Sequence, residues 1–514
     1  MFIRFLYICC ILFVSYLEIL YAAHANLAIK DLSFSFRTQA SEISNLMYQL
    51  DCLAGGLGLP CSTQAYRELW QTLLNWSDED EKQLAKWRQL RQKYQKTINF
   101  DDEKNAATAY PDDLAFSANK IFLSRKQAIA GLQSQALEEY QSNLGLLVMP
   151  ADLVGFTEVV LYFQPRFRSW WNAGAKKQLD AFASQLSEII KKKSLVEFSA
   201  QVARFYDAKL PANHVVYVHL IARPKSQARG TFGTQIENHA VVEVLDGEKS
   251  ENRVDVILHE LYHYFYSLMP AARKAELTKA FVSAKDADSL AAYNLFDEAL
   301  ATAIGNGLVA RKVKSESDFQ KALAKENGFY NDFFIDRVGK ELMPLAERRI
   351  NEEKPIDGHF VAEYLQLTKK TLGDKMSSPL LALRTMPLVF EDLSLRPLVE
   401  KLVGLVRPRN TFATIGLDAS SREYFQKYPD VSGVIILRSD KLQKLVGWEA
   451  IIGKETLPRL QELAAKHQAF SYGVRRSPKS VVYIFVGQDV AVLEKVITSF
   501  TASHVAFEGI RYGL

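Results

Sequence analysis

The sequence predicts a helix-rich α+β protein, and three observations point there. Apolar residues recur with helical period through residues 36–150 and again through 271–405. Between those stretches, short β-prone runs alternate with one amphipathic helix. Beyond residue 411 the pattern reads strand, helix, strand, strand, helix, strand. The 514 residues are 48% hydrophobic and 24% charged, a balance that suits a packed chain of about two to four domains.

Residues 1–25 have the make-up of a secretory signal. Arg4 lies in a short start, an apolar run spans Phe5–Leu17, and Ala23-His24-Ala25 is a small-x-small cleavage site. The run is short for a membrane span. The mature chain is therefore expected to begin at Asn26, secreted or periplasmic, with no stable membrane span. Of the four cysteines, Cys9 and Cys10 leave with the signal. Cys52 and Cys61 remain as an even pair around a glycine-rich loop, and a disulfide is expected between them.

Residues 26–150 are expected to form a helical subdomain walling one side of a cleft. Its helices are Ala65–Trp76, Lys82–Tyr94 and one long helix over Lys120–Asn143. A second unit, 151–405, begins with a strand at Glu158–Phe163 and a helix at Ala175–Lys191. Strands follow at His214–Ala222 and Ala240–Val244, then helices through 405. Val406-Arg407-Pro408-Arg409-Asn410 reads as a linker. In the last unit, 411–514, strands are expected at Gly433–Leu437, Ala469–Arg475, Ser480–Val486 and Val505–Ile510, with helices at Thr456–Lys466 and Val490–Phe500. That order suggests a ferredoxin-like βαββαβ domain, turning at Arg476–Lys479. It carries no chemistry, so packing, substrate recruitment or partner binding is its expected role.

The chemistry lies in Val254–Tyr266, where His259-Glu260-Leu261-Tyr262-His263 reads H-E-x-x-H. Histidines at i and i+4 stack on one helix face and can reach one metal ion. The glutamate between them is placed to take a proton from a metal-bound water. His259, Glu260 and His263 fall within roughly a 100° arc, opposite Val254, Ile257, Leu258, Leu261, Tyr262 and Phe265. An unpaired carboxylate on a packed face would be costly, which argues against a chance match on a core helix.

A catalytic zinc needs a third protein ligand and an open position. Glu298 is the best candidate. It shares a helix face with Ala301, Thr302 and Gly305, small residues that would let this helix approach the first closely. Asp297 is the nearest rival but lacks that face.

H-E-x-x-H with a downstream helical glutamate resembles the gluzincin metallopeptidases, the clan of thermolysin-like enzymes and zinc aminopeptidases. Asp297-Glu298-Ala299-Leu300-Ala301-Thr302 is similar to their third-ligand segment. The resemblance implies a zincin-like core, His259, His263 and Glu298 as zinc ligands, and Glu260 as general base. The strand, helix, strand, edge-strand order before the H-E-x-x-H helix matches the upper half of such a core. Two features depart from the clan. The interval from His263 to Glu298 is longer than usual, and Thr302 stands where the clan has an aspartate orienting a zinc-bound histidine. Asp255, one turn before His259, is a substitute for that role or simply a solvated charge.

An edge strand over Gly233–Val244 could bind an extended peptide by backbone pairing, with Glu237 or Asn238 at the cleft. Ile236-Glu237-Asn238 also resembles the aminopeptidase motif whose glutamate holds the substrate amine; the alternative is an ordinary turn before a strand. Oxyanion stabilisation needs a Tyr or His near the metal. His359 and Tyr364 are candidates, as are Tyr330 and Tyr293, and nothing in the sequence selects among them.

The expected activity is therefore an exported zinc-dependent metallopeptidase acting on peptides or proteins. The alternatives are a zinc aminopeptidase using Glu237, or a non-catalytic peptide-binding protein of the same fold. A net charge of +4, with no concentrated basic face, gives no support for nucleic-acid binding.

Overall fold

The computed structural model describes residues 34–55, 61–95, 125–227, 231–286, 288–406, 408, 410–502, 506–511 and 513–514. The expected signal segment lies outside the described residues. Among the described residues, no helix is long and apolar enough to cross a membrane.

Two sheets organise the chain. The first has the order β1-β2-β4-β3, from β1 (Phe34–Gln39), β2 (His214–Arg223), β3 (Gly233–Ile236) and β4 (His239–Leu245). β1 and β4 both run parallel to β2, and β3 closes one edge as an antiparallel hairpin with β4. Parallel neighbours need a crossover connection. Between β1 and β2 the crossover is very long and contains α1 (Glu42–Leu53), α2 (Thr63–Leu73), α3 (Asp78–Gln95), α4 (Leu137–Gly145), α5 (Pro150–Trp170), α6 (Lys176–Lys192) and α7 (Leu195–Phe205). The N-terminal helices are thus threaded between two strands of the sheet, and one apolar core runs from Phe34 to Leu381. Ser41 starts α1 with a reciprocal capping box to Ser44.

Two expectations in this stretch are corrected. Glu158–Phe163 is not a strand but the middle of α5. Phe156, Val159, Val160, Phe163 and Phe167 are all buried, at helical spacing; the short aromatic and β-branched run imitates a strand only when read alone. The long helix over Lys120–Asn143 is broken, within its described part, into a helical stretch at 125–133 and α4. Ser134, between them, is buried, and its carbonyl accepts from Ser41 Oγ at 2.6 Å. A continuous helix would spend that carbonyl internally.

The helices that follow include α8 (Val254–Ser267), α9 (Ala271–Ser283), α10 (Ser289–Ala301), a π-helical stretch over Thr302–Val309, α11 (Phe333–Asn351) and α12 (Gly358–Leu372).

The second sheet has six strands in the order β10-β8-β9-β7-β5-β6. They are β5 (Thr385–Phe390), β6 (Asn410–Ile415), β7 (Gly433–Arg438), β8 (Ala469–Ser477), β9 (Ser480–Gly487) and β10 (Gly509–Arg511). This corrects the ferredoxin-like expectation. The predicted βαββαβ elements form, but a ferredoxin-like sheet would place the last strand beside β7. That edge is already taken by β5, which pairs with β7 in parallel, so β10 pairs with β8 instead. β5 lies in the stretch expected to be helical, and β6 begins where the linker was expected to end. α13 (Arg396–Val406) and α16 (Val490–Thr501) cover one face; α14 (Ala419–Lys427) and α15 (Thr456–Ala464) cover the other. Along β9, Val481, Tyr483 and Phe485 enter one core, while Val482, Ile484 and Val486 enter the other. A strand buried on both faces is apolar throughout.

Candidate metal centre

α8 forms where the apolar residues recur at helical spacing, and it buries Val254, Ile257, Leu258, Leu261, Tyr262 and Phe265. The π-helical continuation of α10 packs against it. A Cβ at Gly305 would lie 2.7 Å from both the nitrogen and the Cα of His259. Only glycine permits this approach, and the approach brings Glu298, about two turns earlier on the same continuous helix, beside the histidines.

Three ligand atoms converge there. His259 Nε2 and His263 Nε2 are 3.0 Å apart, and Glu298 Oε2 is 3.5 Å from each. Tetrahedral ligands at Zn–N and Zn–O distances of ~2.0–2.1 Å stand roughly 3.3 Å from one another, so the set fits a small tetrahedral cation. Among the described residues it is the group of His, Cys, Asp or Glu side chains able to hold a metal. The Glu298 side chain stays 35% exposed while that of His259 is 5% exposed. Part of the Glu298 side chain thus reaches solvent, while its Oε2, the atom facing the histidines, is buried.

The electrostatics follow from crowding. Burial works against a charged His263, but the Glu298 and Asp297 carboxylates outweigh it and raise its pKa well above the usual range. Burial alone would raise Glu298; the two imidazoles override it and hold the carboxyl well below its usual range. Glu260 is pushed up by burial, against the pull of His259 and His263. A carboxylate with a raised pKa is a stronger base. Gly233, at the start of β3, faces Glu260: a Cβ there would sit 3.1 Å from Glu260 Oε1.

One neighbour of the cluster escaped the sequence reading in its present position. Asp297, considered only as a rival ligand, approaches His263 Nδ1 at 3.1 Å, within ion-pair distance. Adjacency to Glu298 was the available signal. Asp255 is engaged elsewhere, accepting from Lys314 Nζ at 2.6 Å. Thr302 is fully buried, and neither its hydroxyl nor His259 Nδ1 finds a partner among the described residues.

Tyr330 is the aromatic residue at the cluster. Its ring stacks on His259 at 5.5 Å between centroids. Its hydroxyl interacts with Glu298, and burial followed by that carboxylate raises its pKa. The loop that carries it is shaped by Asp336, whose carboxylate accepts from the backbone N–H of Asn327, Phe329 and Tyr330 at 3.1, 2.8 and 3.2 Å. No local sequence pattern distinguishes Tyr330 from the other tyrosines.

The remaining candidates lie apart from these contacts. Tyr364 is buried and donates to the Ala292 carbonyl at 2.9 Å. His359 is exposed in the first turn of α12. Glu237 occupies the β3–β4 turn at φ 50° and pairs with Lys126 at 3.0 Å. Asn238 Nδ2 donates to the Val215 carbonyl at 2.8 Å. Tyr293 packs on Phe281 and lines a cavity of about 180 Å³ facing the second sheet, which includes none of the cluster. Cys52 and Cys61 form a disulfide pair with Cα atoms 6.0 Å apart.

Comparison with protein-family models, curated proteins and solved structures found no match.

Proposed function

We propose that the chain is an exported zinc-dependent peptidase of the gluzincin type. The observation that carries this reading is the convergence of His259, His263 and Glu298 at tetrahedral spacing, with Glu260 beside them. Zinc, when bound, would supply a Lewis acid that polarises a scissile carbonyl and makes water easier to deprotonate. Glu260 would take the proton of the attacking water and return it to the leaving amine. Asp297 would keep the His263 ring turned toward the metal. Tyr330 would donate to the developing oxyanion, the role for which His359 and Tyr364 were the first candidates. The edge of β3 would hold the substrate backbone. Glu237 is engaged by Lys126, which favours cleavage within a chain over recognition of a free amine. The signal-like N-terminus and the paired cysteines support export.

The test is metal analysis of purified protein followed by cleavage mapping on a mixed peptide library. One zinc per chain is expected, with cuts that vanish with a chelator. Glu260→Gln should keep the metal and lose about 10²–10⁴-fold in turnover. A chain that binds no zinc would sink the reading. Zinc without any cut would favour the peptide-binding alternative.

A further inference from the structure

The carboxylate of Glu243, on β4, is fully buried and yet accepts five hydrogen bonds from four residues. Oε1 accepts from Tyr48 Oη at 3.2 Å, the Ser62 amide at 2.9 Å and Tyr66 Oη at 3.0 Å. Oε2 accepts from Ser62 Oγ at 2.5 Å and the Phe232 amide at 3.0 Å. Buried charge of this kind is costly unless its lone pairs are filled. Here four donors come from the α1–α2 region and the fifth comes from Phe232, the residue just before β3.

Ser62 makes the asymmetry plain. It is the first residue before α2, a position where serine normally caps the helix, yet its hydroxyl makes no cap bond. It is turned to Glu243 and also accepts from Arg223 Nε at 3.0 Å. The preceding residue, Cys61, is held by the disulfide to α1. A rigid chain of contacts therefore runs from the disulfide through Ser62 and Glu243 to Phe232. Gly233 is next, pressed against Glu260.

We infer that Glu243 is a positioning residue that fixes the start of β3 against Glu260. The part that concerns substrate rests on the peptidase reading above; the part that concerns the strand does not. The Phe232 carbonyl accepts in turn from the Glu243 backbone N–H at 2.9 Å, so Glu243 holds Phe232 through both its side chain and its backbone. Losing the side-chain bond loosens the outer end of a four-residue strand whose other side is unpaired in the sheet order.

The experiment compares three variants by amide hydrogen exchange and by peptide kinetics. Glu243→Gln leaves donors facing an amide NH2 and should speed exchange over residues 233–236 about tenfold. Phe232→Pro deletes the single amide at a partly exposed site, so it tests the link even if Glu243→Gln does not fold, and it should give the same local acceleration. Tyr66→Phe removes a donor from the same carboxylate without touching β3; it should lower Tm and leave β3 exchange unchanged. With an extended peptide, the first two variants should raise KM about tenfold with kcat within about twofold. The inference is overturned if β3 exchange stays at the wild-type rate in Phe232→Pro, or if Tyr66→Phe accelerates it equally. Wild-type protein that cuts nothing would count against the peptidase reading, while the exchange data would still decide the strand.

Discussion

The two sheets bury different things. The second sheet is covered by helices on both faces, and its central strands contribute apolar side chains to two cores. The first sheet buries His219, Arg223, His239 and Glu243 within β2 and β4, and leaves β3 as an edge beside Glu260. Buried polar groups cost stability unless they are bonded, and open edges invite pairing. Both sheets end in edge strands, but the first buries a glutamate, an arginine and two histidines within its strands, whereas the buried polar side chains described in the strands of the second are the hydroxyls of Ser471 and Ser480.

The largest test of that difference is acid. His219 Nε2 and His239 Nδ1 lie 2.8 Å apart. Burial and then His239 depress the pKa of His219 to about 3. Burial depresses His239 to about 4, against the raising effect of Glu237 and with the help of Lys126. Both folded values lie below the unfolded one, so the unfolded chain binds more protons and stability falls as pH drops from about 6.5 toward 4. The loss at pH 5 relative to neutral pH should be about 2 kcal/mol for each histidine. Urea unfolding at pH 7 and pH 5 measures it. The His219→Gln/His239→Gln pair should flatten the slope, and an unchanged slope would break the comparison.

A smaller effect is expected from Gly305→Ala. The new methyl meets the His259 backbone, so the two helices must separate at a cost of roughly 1–3 kcal/mol. Metal affinity should fall with stability, measured by denaturation with and without zinc. Equal stability would mean that the approach is soft.

Asp297→Asn sharpens the reading at the least cost to the fold. It weakens the hold on His263 Nδ1 and should reduce zinc affinity roughly 10–100-fold, read by competition with a chromophoric chelator. No change would assign the orienting role elsewhere.

Much of the first sheet and the metal cluster was legible along the chain. The i, i+4 spacing of His259 and His263, the small-residue face after Glu298, and the strands β2 and β4 are all carried by local periodicity, which backbone geometry turns directly into a shared face. The same holds for β7, β8 and β9. The failures were of two kinds. Glu158–Phe163 was misread because a short apolar run suits a strand or a buried helix equally, and only its neighbours on α5 decide. β10 was misplaced because strand order depends on which edge is free, and β5 had already taken the edge of β7.

The sequence by itself determined which residues could share a helix face and which strands could exist, since both follow from contacts a few residues apart. Tertiary structure alone decided that Asp297 meets His263, that Tyr330 stacks on His259, and that Glu243 joins the disulfide region to β3. Those contacts bind distant segments, and they exist only once burial has brought the segments together and left each polar group in need of a partner.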